Sequence, residues 1–397
     1  MAKRVNEPTY KRFLTQPIKR FNETNHAFSR GDRREIPGHH EVSDASLKKQ
    51  FSNATGYTQE DRALFFAART INYICRRVTL SREVPEILEI GHRPRDASGA
   101  QIPPDKLPVS NPAEMSKKVK QVAKWLGADL VGITKLNLDW FYSHWGTHTV
   151  ERYGVHEEGA PIEVPEEYKW AIVMAVEMDY ENLRRSPANC AATDLAYSHM
   201  AIVSSSLAEF IRELGYKAIP LGNEMALSIP MAVDAGLGEL GRNGLLITEK
   251  FGPRVRICKV ITSLPLVLDK PVDLGVQAFC EKCSRCADTC PGKAVKHAER
   301  TDKPWNICNN EGILKWPVDG VKCLDWWAKN GTWCAACIRV CPWNKPDRGW
   351  LLWLHKLVTS IVARTRIFNR LFVIMDELFG FGKQRIKPFP QLGRSER

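Results

Sequence analysis

What the chain lacks narrows what it can be. The apolar tail from Trp350 to Phe379 is broken by Lys356, Arg364, Arg366, Arg370, Asp376 and Glu377, so no run in it approaches the roughly 18 residues that a membrane span needs. A basic amphipathic pair of helices is expected there instead, packed on the body in preference to a membrane face. No apolar stretch follows Arg33-Arg34 in the first fifty residues, so that pair does not open an export leader. The chain as given is therefore expected in the cytoplasm; the alternative is an exported, membrane-associated form whose leader has been removed. Acidic residues are in deficit, 45 against 57 Lys and Arg, for a formal charge of +12. That balance suits an anionic partner: nucleic acid, an anionic membrane surface, an acidic redox protein or an anionic cofactor.

Length and a 44% hydrophobic content allow two or three domains with substantial cores. Residues 1–50 carry eleven Lys/Arg against six Asp/Glu and are broken by Pro8, Pro17, Gly31, Pro37 and Gly38, which reads as an extended arm wrapping the body. Leu64, Phe65, Ala68, Ile71, Ile74 and Val78 recur at helical spacing, with Cys75 as a core thiol. A Pro/Gly-rich connection over 91–112 leads into a helix near 113–126, a strand at 129–134 and a long apolar strand at 170–178. Helix and strand alternate there, so that unit is α/β or α+β. The division expected is 1–110 arm and helical unit, 111–270 core, 271–348 cysteine-rich unit and 349–397 helical tail.

Cysteine is what the chain has in a pattern. Cys280, Cys283, Cys286 and Cys290, followed by Pro291, form the C-x2-C-x2-C-x3-C-P run in which three thiolates hold one iron-sulfur cube and the fourth crosses to a second. Cys334, Cys337 and Cys341 supply the second set, with Cys323 as its displaced member. The expected sets are Cys280, Cys283, Cys286 and Cys341, and Cys290, Cys323, Cys334 and Cys337, for two 4Fe-4S clusters. Cys308 is the alternative to Cys323, although the shorter span closes with less entropy. A single tetrahedral zinc leaves too many thiols over, and disulfides fit such close spacing poorly.

Four further features bear on a site. A helix from about 193 to 214, capped by Thr193 or Asp194 and ended by Gly215, carries the stripe Tyr197, Ala201, Ser204 or Ser205, and Ala208. This stripe suits either a bulky planar group or close packing on a sheet. Gly236, Gly238 and Gly241 match G-x-G-x-x-G, but the context lacks the strand-to-helix turn of a dinucleotide site. With Gly244 they require close approach of a cofactor or a neighbouring strand. Arg254 and Arg256 lead into a strand on one side and can clamp an anion. Six of the twelve tryptophans lie between Trp305 and Trp343, suiting a shielded cluster, an apolar substrate pocket, or both.

Ala196-Tyr197-Ser198-His199-Met200, Gly222-Asn223, Ala235-Gly236-Leu237-Gly238-Glu239, the Gly241–Thr248 stretch, Gly252-Pro253-Arg254-Val255-Arg256-Ile257 and the two cysteine motifs together resemble the corrinoid- and iron-sulfur-dependent reductive dehalogenases, over about residues 10–385. The resemblance implies an α+β fold: a nitroreductase-like, cobalamin-binding α/β core and a C-terminal ferredoxin-like domain with two 4Fe-4S clusters. It implies a base-off corrinoid, consistent with the missing D-x-H-x-x-G. It carries over Tyr197, Asn223 and Arg256 as catalytic residues, with Arg254 the alternative to Arg256, and Trp327 and Trp333 beside the substrate. Ala201, Ser204 and the four glycines would touch the corrinoid. The implied activity replaces C–X by C–H with two electrons and a proton, and Tyr197 is the donor if the fold brings it to Arg256, since a neighbouring guanidinium favours phenolate. The implied partners are a small organohalide, a reduced ferredoxin, flavodoxin or membrane donor, and a small membrane-anchor protein, with oligomerisation open and no nucleic acid. The alternatives are an epoxyqueuosine reductase-like enzyme acting on tRNA and a non-catalytic electron carrier.

Overall fold

The computed structural model describes residues 3–36, 44–80, 105–153, 157–346, 374 and 376–386. Its strands are β1 (Lys3–Arg4), β2 (Leu130–Lys135), β3 (Trp170–Glu177), β4 (Ala218–Leu221), β5 (Glu239–Leu240), β6 (Leu246–Ile247), β7 (Val255–Thr262) and β8 (Val272–Asp273). Its α-helices are α1 (Ala27–Asp32), α2 (Asp44–Gln50), α3 (Gln59–Leu80), α4 (Pro112–Trp125), α5 (Thr147–Tyr153), α6 (Tyr180–Leu183), α7 (Ala192–Glu213), α8 (Ser228–Asp234), α9 (Val276–Lys282), α10 (Arg285–Thr289), α11 (Gly320–Asn330) and α12 (Ala336–Arg339).

β3 explains the central sheet. Its inner residues are all buried and alternate between two clusters: Ile172, Met174 and Val176 face α4 and α7, while Ala171, Val173 and Ala175 face α8 and the Trp140–Trp145 segment. A strand covered on both faces needs no polar side chains, hence the unbroken apolar run in the sequence. The sheet order is β2-β3-β7-β4, and every pairing is antiparallel. This decides between the two core readings: the fold is mixed α+β, with no parallel α/β sheet among the described strands. Val203, Leu207 and Ile211 seat α7 on the sheet, each contributing about 1.5–3 kcal/mol by burial.

Several sequence expectations change. The side chains of Thr193 and Asp194 do not cap α7, whose N-cap is Ala191; Asn182 Oδ1 takes the Ala192 N–H at 2.8 Å instead. That frees both side chains to point toward other partners. Gly215 does end the helix, at φ 78°, where a Cβ would meet Lys106 Cα at 2.5 Å. The buried face of α3 is more polar than its periodicity suggests: Ile71 is 39% exposed, whereas Asp61 and Asn72 are buried beside Phe65. Asp61 pairs with Arg185 at 2.5 Å and Arg69 with Asp194 at 3.7 Å, so this helix is docked by ion pairs as well as apolar contact. The side chain of Cys75, most of the 91–112 connection and most of the 349–397 tail lie outside the described residues.

Residues 3–36 of the N-terminal segment lie against the body, partly helical in α1 where an extended arm was expected. β1 pairs with β8, Leu14 bridges Ile313, and the Arg20 guanidinium donates to the carbonyls of Phe141, Tyr142 and Ile162. The cysteine-bearing helices α9 to α12 are braced to the sheet by Arg254, which is wholly buried. Its guanidinium reaches Glu177, the Met178 and Lys345 carbonyls and Asn344 Oδ1. Among the described residues no helix is long and apolar enough to cross a membrane.

Candidate active site

Three elements meet at one phenol. α7 carries Tyr197 one turn in, the loop after β4 carries Asn223, and β7 carries Arg256 as its second residue. Asn223 Nδ2 donates to Tyr197 Oη at 3.1 Å. The Arg256 guanidinium lies 4.9 Å from the centre of the Tyr197 ring, steadied by an Nη2–H donated to Thr193 Oγ1 at 3.3 Å. All four line a cavity of about 500 Å³, within the roughly 300–1,000 Å³ of sites that bury a drug-sized molecule. Of the two arginines in the motif, Arg256 faces this cavity and Arg254 serves as the brace.

The aromatic wall is built by α11 and the chain after it. Trp327 and Trp333 meet edge to face at 5.0 Å, and Phe28 of the arm lies 5.8 Å from Trp327. Arg69 and Asn72 of α3 also line the cavity, as do Tyr10, Glu23 and His26 of the arm. No sequence motif marks these five; Tyr10, Glu23 and His26 belong to a segment whose composition says only that it is extended. Burial pushes Glu23 up to about 7, against hydrogen bonds from Thr149 and the Gly146 N–H, and Glu224 pushes the same way. Burial beside His148 holds His26 down to about 4, and His148 Nδ1 meets Asp32 Oδ2 at 2.6 Å.

The small-residue stripe and the glycine loop divide. Ala201 and Ser204 are buried, the Ser204 hydroxyl donating to the Met200 carbonyl at 2.8 Å; neither lies on the cavity wall with Tyr197. The run Gly236-Leu237-Gly238 follows α8 and enters the β5–β6 hairpin, so it opens no helix. A Cβ on Gly236 would sit 2.3 Å from the Lys270 carbonyl oxygen and one on Gly238 2.2 Å from that of Ile247. Gly241 approaches the Ile247 side chain. Their close neighbour is therefore backbone or side chain of adjoining segments. Gly244, at φ 72°, does line the cavity.

The cysteine motifs converge. Cys280 and Cys283 pack with Cys341, and Cys290 with Cys323, Cys337 and Cys286. Cys334 feels Cys290, while Cys286 feels Cys280, Cys283, Cys341 and also Cys337. Cys308 stands apart, beside Ala27, Ile36 and Leu324, and accepts from Arg30 Nη1 at 3.5 Å. No disulfide joins the described cysteines, and no three His, Cys, Asp or Glu among the described residues close on a single metal ion. Burial raises Cys280 and Cys323 to about 12, so these thiols ionise near neutrality only against cationic iron. Eight thiols drawn together from the two motifs suit iron-sulfur ligation, and the Ala294 N–H already points at Cys290 Sγ at 3.2 Å. For a corrinoid the fit rests on a cavity that combines aromatic rings with convergent polar groups, with Cys334 on its wall.

No protein-family model matches the chain. It is 38% identical over 304 residues to the tetrachloroethene reductive dehalogenase of Sulfurospirillum multivorans, covering 71% of this chain and 59% of that protein. It thus spans less than two thirds of that relative's length. An epoxyqueuosine reductase of Cyclobacterium marinum is 29% identical over 36% of this chain and 47% of its own. Among solved structures, the catabolic reductive dehalogenase NpRdhA in complex with 3-bromo-4-hydroxybenzoic acid superposes with a TM-score of 0.73 at 22% identity, covering all of this chain and 53% of that one. A reductive dehalogenase structure described as suggesting a mechanism for B12-dependent dehalogenation matches with a TM-score of 0.71 at 23% identity, over all of this chain and 53% of that one.

Proposed function

The chain belongs to the reductive dehalogenase family, and from that premise we propose that it is an oxidoreductase replacing the halogen of a small organohalide by hydrogen, with a base-off corrinoid and two 4Fe-4S clusters as cofactors. The observation that carries this reading is the Tyr197–Asn223–Arg256 group, which faces a cavity that also has Cys334 on its wall. When bound, the corrinoid would supply low-valent cobalt for two-electron cleavage of a carbon–halogen bond, chemistry that no side chain offers.

The side chains have separate tasks. Tyr197 Oη delivers the proton to carbon. Asn223 Nδ2–H, already donated to that oxygen, stabilises the phenolate left behind and fixes the direction of transfer. Arg256 puts a permanent cation beside the same ring and favours the same charge. Trp327, Trp333 and Phe28 exclude water from the apolar side. Cys280, Cys283, Cys286 and Cys341 hold one cube, and Cys290, Cys323, Cys334 and Cys337 the other. In this reading the sheet and its helices form a nitroreductase-like core and α9 to α12 a ferredoxin-like unit. The electron donor is a reduced ferredoxin, flavodoxin or membrane component, a small membrane-anchor protein is a further partner, and nucleic acid is not one. Cytoplasmic and exported, membrane-associated settings are the two locations to compare.

An electron carrier leaves the cavity and its phenol without a use. The tRNA enzyme corresponds to a relative matched over only about a third of the chain. Reconstitution with cobalamin and iron-sulfide, an absorption spectrum, and halide-release screening across chlorinated ethenes, phenols and fluorinated acids test the proposal. A corrinoid band with halide release is expected. A corrinoid band without release from any class would favour the tRNA enzyme, and cubes without a corrinoid band would favour the carrier.

A further inference from the structure

β7 carries a second cation three residues beyond Arg256. Odd spacing puts the two on opposite faces of the strand: Cys258 and Val260 pack with α7, Ile257 and Ile261 with the other layer, and Lys259 belongs with the latter. Lys259 is fully buried. Its ammonium donates to the Gly222 carbonyl at 2.6 Å, the Ala226 carbonyl at 2.9 Å and Ser228 Oγ at 2.9 Å. An ammonium has three protons, and these three acceptors all belong to one short stretch, from the end of β4 to the first residue of α8.

That stretch contains Asn223. It also contains Met225 in the left-handed region, at φ 62°, a conformation that a side chain with a Cβ resists and that persists only where the surroundings over-determine it. The two carbonyls bound by Lys259 flank this residue on either side. Other ties reach the stretch from one direction: the Tyr142 N–H donates to the Met225 carbonyl at 2.7 Å and the Leu227 N–H to that of Trp140 at 2.8 Å. Lys259 alone among these named ties comes from the strand that also carries Arg256. β7 thus sets the cation beside the Tyr197 ring directly, and the amide that donates to the phenol through the loop.

We propose that Lys259 is a positioning residue for the reaction, its buried ammonium clamping the 222–228 loop so that Asn223 Nδ2 stays within hydrogen-bonding distance of Tyr197 Oη. The inference rests on the roles given above to Tyr197 and Asn223. A neutral side chain of similar length would fill the space but leave the loop free to relax away from the left-handed turn. A shift of the amide by about 1 Å breaks a 3.1 Å bond, and misplacement on that scale costs on the order of a hundredfold in rate.

The test uses the full chain with its cofactors and the variants Lys259→Met, Ser228→Ala, Asn223→Ala and the double variant Lys259→Met/Asn223→Ala. Hydrogen exchange read by mass spectrometry should show faster exchange in Lys259→Met confined to 222–228 and the adjoining 140–142, with iron content unchanged. The kcat should fall by roughly tenfold to a hundredfold while KM changes little, because the loop serves the proton donor more than substrate affinity. In the double variant, kcat should be no lower than in Asn223→Ala alone. Ser228→Ala removes one of three acceptors and should give a smaller change in the same amides, so the clamp stays testable if Lys259→Met does not fold. Unchanged exchange over 222–228 in the variants that fold, or fully multiplicative losses in the double variant, would overturn the proposal. If the unmodified chain releases no halide, the function proposed above fails, while the exchange measurement still decides whether Lys259 holds the loop.

Discussion

Removing one oxygen from Tyr197 separates a chemical role from a packing one. Tyr197→Phe keeps the ring beside Arg256 and deletes the acceptor of the Asn223 Nδ2–H. Loss of that single hydrogen bond should cost only about 0.5–1.5 kcal/mol of stability, so thermal midpoint, cobalt content and iron content should stay near those of the unmodified chain. Turnover should fall by roughly two to four orders of magnitude, the usual weight of a positioned general acid. Arg256 offers an internal comparison. The guanidinium lies 4.9 Å from the ring centre, and its permanent cation favours the charge left when the phenol gives up its proton. Arg256→Met should therefore approach the tyrosine variant, and Arg256→Lys, which keeps the charge but loses the planar fork, should lie between. The assay is halide release under anaerobic reduction, with metal content measured on the same samples. Near-normal turnover by Tyr197→Phe would sink the assignment, since the proton would then come from water or another group.

The remaining predictions concern clusters, pH and the brace. Cys341 packs with Cys280 and Cys283, and Cys290 with Cys323, Cys337 and Cys286. Cys341→Ala should therefore damage the cube of the first motif and Cys290→Ala that of the second; iron quantitation and EPR showing loss only at the mutated motif's own cube would count against the crossing. Glu23 has a folded pKa raised to about 7 by burial, so its contribution to stability is fully present below its unfolded value near 4.5 and is lost as pH rises through about 7. The loss is about 3 kcal/mol as an order of magnitude, and Glu23→Gln should flatten the thermal midpoint between pH 4.5 and 7; an unchanged slope would refute this. Arg254→Met strips the partner from Glu177 and leaves Asn344 Oδ1 and two buried carbonyls unmet. Urea unfolding should show a loss of about 3–5 kcal/mol, and a stability within 1 kcal/mol of the parent would mean that the brace is not structural.

Local pattern and tertiary placement divide the legible from the illegible. The strand at 170–178 was plain because a strand buried on both faces must be apolar throughout, and the helix ending at Gly215 because only glycine takes φ 78° at so close an approach. The glycine run was readable as a demand for close contact, yet its neighbour was not: Gly236 and Gly238 meet the backbone of Lys270 and Ile247, which lie in other segments. Thr193 and Asp194 looked like caps because nothing local says that Asn182 will reach Ala192 from ten residues away. The polar face of α3 and the cavity-lining arm were missed for the same reason, since Arg69, Asn72, Glu23 and His26 carry no spacing that marks them.

By itself the sequence marked the two cysteine motifs and the presence of a long helix with Tyr197 on it, because metal-ligand spacing and hydrophobic period are properties of neighbouring residues. It favoured Arg256 with Arg254 as the alternative, and Cys323 with Cys308 as the alternative. Only the tertiary structure sent Arg254 to the brace and Arg256 to the phenol, and put Cys323 among the second set while Cys308 packs beside the arm. The reason is physical: which of two similar side chains meets a partner depends on elements more than a hundred residues apart docking in three dimensions, and on the burial that docking imposes.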